Sequence, residues 1–451
     1  MNPQINARIP IELRELAGLF QLAGIPLFCV GGCVRDWILG RTAADIDLCS
    51  KASPDAVIAL CKQNGIPAEI QSEKTGTVRI TLNGRSYEHT AFRIESYEGG
   101  RHRPKQVIFG GSLEQDAGRR DFSINAIYYD IAGGRLQDPA GGLADLSAGR
   151  IRTTSANPYT ILRHDGLRIL RLVRFAFELG FSIEEATFEC AREQAHLLWD
   201  VSFERKRDEL IKILLLDEVY AALCCMDELN LFPYIIPELT ACRGVKQRSD
   251  HHEHDVLHHL FHAAENINKE PALRLAALLH DIGKPRCLKE TGRMRLHHRY
   301  SAQDAKQVLL RLRLPKADID RIVFAVENHM FDIRDERTED EVRRRFCIWG
   351  ERRVWDMIAL READVLGSGK DASFRAERWR RIIADMTARK TPFSYAELAL
   401  NGDEIMAILG IPPSKEVARA QRSLLLHCAA FPEHNTKGTL RELLISGQIA
   451  L

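Results

Sequence analysis

The stretch FCVGGCVRDWILGRTAADIDLCS, residues 28–50, decides how the rest of the chain is read. An apolar β-type run, IPLFCV, ends on Gly31-Gly32, and a helical segment, CVRDWILG, follows and is closed by Gly40. The next strand-like piece, DIDLCS, carries Asp45 and Asp47 two residues apart, so on a strand both carboxylates leave the same face. Two like charges so placed repel unless a cation sits between them, and hard divalent ions such as Mg²⁺ favour oxygen ligands. An isolated Asp-x-Asp is as well explained by a solvated strand end. The glycines shift the balance. Backbone N–H groups bared between a strand and a helix can approach phosphate, and Arg35 is placed to meet its charge.

Around this stretch lie 451 residues, 45% hydrophobic and 28% charged, which predicts a soluble globular chain of two to four units. No apolar run reaches the roughly 18 residues of a membrane span, and the N-terminal MNPQINARIPIELRELAGLF reads as an amphipathic helix without a signal-peptide core. Eleven scattered cysteines with no C-x-x-C predict reduced thiols and a cytoplasmic protein. The net charge of +1 excludes a broadly basic nucleic-acid binder, yet Arg150, Arg152, Arg163, Arg168, Arg171 and Arg174 crowd one region. Up to about Arg150 the chain mixes strands and helices. A helix starts at Pro54, and TVRITL-NG-RSYEHTAFRI turns at Asn83-Gly84, a two-residue hairpin signal. The polar segment up to Gly111 reads as a functional loop. Beyond Arg150 strand signals disappear and helical patterns run to the C-terminus.

A third acid, Glu88, lies in the hairpin. Two metal ions bridged by carboxylates can activate an attacking hydroxyl and stabilise leaving pyrophosphate, which is nucleotidyl transfer. At this point VGGCVRDWILGR followed by ADIDL resembles the head of the class II tRNA nucleotidyltransferase and bacterial poly(A) polymerase family. EHTAFRIE, RRDFSINAIYYD, DPAGGLADL and HDGLRILRLVRF resemble the family's later motifs in order. The resemblance implies an α+β fold class: a mixed-sheet nucleotidyltransferase head, then a long all-helical neck, body and tail with an HD-type domain. The expected divisions are a head over 1–150, a neck for base selection over 151–220, an HD-type domain over 221–370 and a tRNA-binding tail over 371–451.

The resemblance also implies roles. Asp45 and Asp47 would bind Mg²⁺ with Glu88 assisting, while Arg120, Asp121 and Asn125, with Gly31, Gly32 and Arg35, would hold the nucleotide. Asp165 and Arg168, three apart on one helical face, would read the base of CTP or ATP: the carboxylate accepts from an exocyclic amine and the guanidinium donates to ring acceptors. Arg171 and Arg174 continue that row toward triphosphate or tRNA backbone, although for Arg174 a solvated basic stripe fits equally. The family usually has Glu where His164 stands. The resemblance also implies that a loop such as that from Ser96 to Gly111 goes with full CCA addition or A addition and not with CC-only addition.

In the helical half, LLHDIGKP carries the doublet His280-Asp281. It looks like an HD domain, which implies His259 and Asp364 as the remaining ligands of a divalent transition or borderline metal. His251, His252, His254, His258, His297, His298 and His329 are secondary candidates, with His298 or His329 available to a second metal or phosphate. The expected function is addition of C, C and A to tRNA 3′ ends with tRNA, CTP and ATP as partners. The alternatives are poly(A) or A-only addition, or an HD phosphohydrolase.

Overall fold

The computed structural model describes residues 3–96, 106–247, 254–369 and 376–449, so the tip of the 96–111 loop and His251 and His252 lie outside the described residues. The chain divides into two compact units: Met1–Ile213 with Ala221–Ile235, and Leu214–Tyr220 with Ile236–Leu451.

In the first unit seven short strands form one sheet: β1 (Phe28–Val30), β2 (Asp47–Ser50), β3 (Ala68–Ser72), β4 (Thr77–Leu82), β5 (Arg85–Ala91) and, after a separate hairpin, β8 (Tyr128–Asp130) and β9 (Arg135–Gln137). Their order is β3-β4-β5-β2-β1-β8-β9. All neighbours are antiparallel except β2 and β5, which run parallel with Asp47 opposite Glu88. Asn83 and Gly84 both take positive φ, 48° and 77°, as the expected two-residue turn requires. Pro54 opens the helix Pro54–Gln63, capped by Ser53, whose hydroxyl accepts from the Ala56 amide. Phe28, Phe92 and Tyr128 meet edge-to-face or tilted beneath the sheet centre, with Val30, Cys49 and Ala126 around them. That apolar patch anchors the strand ends that carry the acids.

Two expectations change. The ends of the 96–111 segment are not loop: β6 (Arg93–Ser96) and β7 (Gln106–Phe109) pair antiparallel. Strands also do not stop at Arg150, because β10 (Arg150–Ile151) pairs in parallel with β11 (Ser182–Ile183).

The second unit is helical among its described residues. Pro271, His297 and Glu351 open helices Pro271–Leu279, His297–Arg311 and Glu351–Gly367, which pack with Val256–Glu265 and Lys316–Asn328. Trp379 is fully buried against Phe331, Phe346 and Trp349. No helix among the described residues is long and apolar enough to cross a membrane, and all eleven cysteines are free.

Candidate active and metal sites

Gly31 turns the chain from β1 into the helix Gly32–Ile38 at φ +83°, a conformation side chains avoid. A β-carbon there would stand 3.8 Å from Asp47 Oδ2 and 3.8 Å from Arg120 Nη1. Asp47, Arg120 and the bare Gly31 backbone therefore share one small space. The parallel register adds Glu88 beside Asp47. Asp45 is exposed in the extended lead-in before β2. It is therefore not on the strand, as its spacing implied. Asp47 is exposed as a residue, yet desolvation of its carboxyl within the fold, with Glu88 and Asp45 nearby, raises its pKa from the ordinary value, opposed by Arg120. Such crowded acids form a donor set for a hard cation, but the three do not close as tightly as the clusters of the second unit.

The RRD segment is braced from beneath. Asp116, 1% exposed, accepts from Arg119 Nε at 2.9 Å, from Arg120 Nε at 3.1 Å and from the Tyr128 hydroxyl at 2.7 Å. Burial works against its charge, but Arg120 and Arg119 hold its pKa below the usual value. Asp116 lies on the capped helix Leu113–Gly118, three and four residues before the arginines, so one helical turn brings it under them, and Tyr128 reaches it from β8. Asp121 accepts from the Phe122 amide at 2.8 Å, Asn125 Nδ2 at 3.2 Å and Arg171 Nε at 2.8 Å. Its burial alone would raise its pKa, yet Arg171 and Arg168 hold it at about 2. Asn125 Oδ1 in turn accepts from Arg35 Nη1 at 2.9 Å.

Arg35 is buried, paired to Asp36, and its guanidinium lies 5.1 Å from the centre of the Phe175 ring. Arg171 and Arg174 face the same ring at 5.2 and 4.0 Å. Phe175 is a hub that the sequence reading did not single out. Arg174 also pairs with Glu209 and Glu178 at 2.7 Å each, while Arg150 and Arg152 pair with Asp145. Much of the basic crowd thus meets internal carboxylates.

The helix Leu167–Leu179 begins after Asp165, so Asp165 and Arg168 do not share a helical face. Asp165 Oδ1 instead accepts from the Leu167 amide at 3.1 Å, and Arg205 forks onto its carboxylate at 2.6 and 3.2 Å. Arg168 donates to the carbonyls of Ile161 at 2.9 Å and Arg119 at 2.6 Å. Arg205 was missed because it lies forty residues away.

The second unit assembles all four residues of the HD set. His259 lies on Val256–Glu265, His280 and Asp281 follow Pro271–Leu279, and Asp364 lies near the end of Glu351–Gly367. His259 Nε2 is 3.1 Å from Asp364 and 3.4 Å from Asp281, and His280 Nε2 is 3.4 Å from each. Gly367 makes this possible: a β-carbon there would fall 2.9 Å from Ala263 N and 3.0 Å from His259 O. Burial disfavours a charge on His280, but Asp281 and Asp364 outweigh it and lift its pKa to about 10. One buried and one half-buried carboxylate thus demand positive charge at this point, and two imidazoles with two carboxylates fit a divalent ion. His297 and His329, among the secondary candidates, converge on the other oxygen of Asp281. His254, His258 and His298 belong to neither cluster.

Residues 27–152 match the family described as "Poly A polymerase head domain", 180–243 that described as "Probable RNA and SrmB- binding site of polymerase A", and 251–362 the HD domain. The chain is 32% identical to the A-adding tRNA nucleotidyltransferase of Deinococcus radiodurans, over 88% of this chain and 89% of that one. It is 31% identical to the CC-adding tRNA nucleotidyltransferase of Thermus thermophilus, over 88% of each. The crystal structure of the Bacillus stearothermophilus CCA-adding enzyme in complex with CTP superposes with a TM-score of 0.71, 25% identity and 97% of each chain covered. A mixed-sheet head with three acids and a braced RRD segment, followed by helices bearing an HD cluster, agrees with these likenesses along nearly the whole length: the chain belongs to the tRNA nucleotidyltransferase family.

Proposed function

We propose that this chain extends tRNA 3′ ends with C, C and A, taking CTP and ATP and releasing pyrophosphate. The observation that carries the reading is the parallel register that sets Glu88 beside Asp47, at a glycine turn facing Arg120. Asp45 and Asp47 would hold Mg²⁺ with Glu88 assisting, and the bound ions would supply Lewis-acid activation of the primer hydroxyl and the α-phosphate. The Gly31-Gly32 backbone leaves room for the triphosphate to approach. Arg120 and the Asp121–Asn125 pair, held by Asp116, Arg171 and Arg35, would orient phosphates and ribose before any reaction. Asp165 and Arg168 would select the base, with Arg205 setting the angle of the Asp165 carboxylate. Within this scheme the head spans 1–150, the neck 151–220, the HD-type domain 221–370 and the tRNA-gripping tail 371–451. The free thiols suit a cytoplasmic site of action.

The test is incubation with tRNA lacking its 3′ end and labelled CTP and ATP. Addition of C, C and A followed by a stop is expected. Addition of A alone, of C alone, or of an unending A tail would replace this reading with another activity of the same head. Asp47→Ala is expected to abolish transfer while tRNA binding persists; retained transfer would remove Asp47 from the reaction.

A further inference from the structure

We propose that Phe175 is a positioning residue for nucleotide choice: its ring locks the helix that bears Arg168 onto the residues that hold the nucleotide's ribose and phosphates. The role rests on the tRNA-extension reading above, and Phe175 acts through its neighbours without touching substrate.

Phe175 is 6% exposed on the helix Leu167–Leu179, and Arg168 and Arg171 lie two turns and one turn before it on the same face. That face meets the RRD segment three times. Arg168 donates to the Arg119 carbonyl, Arg171 donates to the Asp121 carboxylate, and the Phe175 ring meets Phe122 edge-to-face at 5.9 Å. A further contact comes from the helix Gly32–Ile38, whose Arg35 guanidinium lies 5.1 Å from the ring centre. Arg35 donates to Asn125, Asn125 donates to Asp121, Arg171 donates to Asp121, and Arg171 returns to the same ring. The contacts Phe175–Arg35–Asn125–Asp121–Arg171–Phe175 therefore form a closed circuit. Asn125 and Asp121, the two members farthest from the ring, are the groups expected to hold the nucleotide.

An apolar filler would serve packing equally well, but three guanidiniums surround this ring. Arg174 stands nearest, at 4.0 Å. Each cation has a carboxylate of its own: Asp36 for Arg35, Asp121 for Arg171 and Glu209 for Arg174. The electron-rich face of an aromatic ring holds such like charges together, and burial strengthens that attraction. Without the ring, mutual repulsion and the separate acids draw the guanidiniums apart. Arg35 then loosens from Asn125, and the helix shifts against Asp121. Arg168 rides on that helix, so its angle to a base depends on the same closure.

Phe175→Met keeps an apolar side chain and removes the ring, whereas Phe175→Tyr keeps the face. Transfer from CTP and from UTP to tRNA lacking its 3′ end is measured for each, with KM for nucleotide and for tRNA. Phe175→Met is expected to raise KM for CTP about tenfold and to lose about tenfold of the preference for CTP over UTP, with kcat for CTP falling less and KM for tRNA unchanged. Phe175→Tyr is expected to stay within about threefold of wild type on every count. The preference is a ratio within one sample, so a partly unfolded variant does not distort it. Wild-type KM and preference in Phe175→Met overturn the proposal, and so does equal loss in the Met and Tyr variants. Arg35→Lys opens the circuit at its next link, keeping the charge and losing the planar fork. Its preference is expected to fall alike, and an unchanged preference there overturns the proposal as well. Wild type that binds CTP in equilibrium dialysis yet transfers none overturns the tRNA-extension reading alone. The CTP affinities of the same variants then decide the role of Phe175: about tenfold weaker binding in Phe175→Met only supports it, and equal affinities overturn it.

Discussion

Asp116 touches no substrate position, yet it fixes two consecutive arginines and a tyrosine with one buried carboxylate. Removing one partner of a buried charged group costs more than the pair contributes, so Asp116→Asn is expected to destabilise the first unit by about 3 kcal/mol. It should also raise KM for nucleotide more than it lowers kcat, since Arg120 loses its brace and not its charge. Steady-state kinetics and denaturant unfolding check both; an unchanged KM would show that Arg120 needs no support. Asp121 gives a pH signature. Its folded pKa of about 2 lies below the unfolded value. It therefore contributes stability above about pH 4, roughly 2 kcal/mol, and loses it as pH falls toward 2. The stability gap between wild type and Asp121→Asn should be widest at neutral pH and shrink in acid.

Turns and close approaches set the elements. Gly31→Ala would impose a positive φ on alanine, at a cost of about 1–3 kcal/mol, and its methyl would stand in van der Waals contact with Asp47 and Arg120, in the space where the bare backbone would meet phosphate. Transfer is expected to fall at least tenfold with the fold intact by circular dichroism. Gly367→Ala, against the backbone of Ala263 and His259, should instead lower the melting temperature and weaken metal binding. The hairpin at Asn83-Gly84, the helix starting at Pro54 and the glycine stop at Gly180 were all legible, because each depends on residues adjacent in sequence. The neighbouring placement of Asp47 and Glu88 and the convergence of the HD quartet were legible through motif resemblance, whereas the position of Asp45 off the strand was not. Arg205 was not, because its partner Asp165 lies forty residues away, and Asp116, Tyr128 and Phe175 were not, because a carboxylate, a phenol and a ring near arginines in sequence read equally well as packing until the fold closes them around Arg120 and Arg35. Pairing of β6 with β7 was hidden because the intervening residues read as loop.

Each of the two compact units has its own buried core, and scanning calorimetry is expected to resolve two transitions. Chelator should lower only the one belonging to the unit with the HD cluster, because ligand binding stabilises the unit that binds. A single transition shifted as a whole would show that the units unfold together.

The head's working residues also impose an order on synthesis. Gly31 and Asp47 emerge early, Glu88 joins them across a parallel pairing, the RRD segment arrives past residue 119, and the partner that holds Asp121 is Arg171. Parallel pairs cannot form by a local turn. A nascent chain released before Arg171 therefore carries Arg119 and Arg120 already braced by Asp116, but leaves the Asp121 carboxylate without the guanidinium that holds its charge.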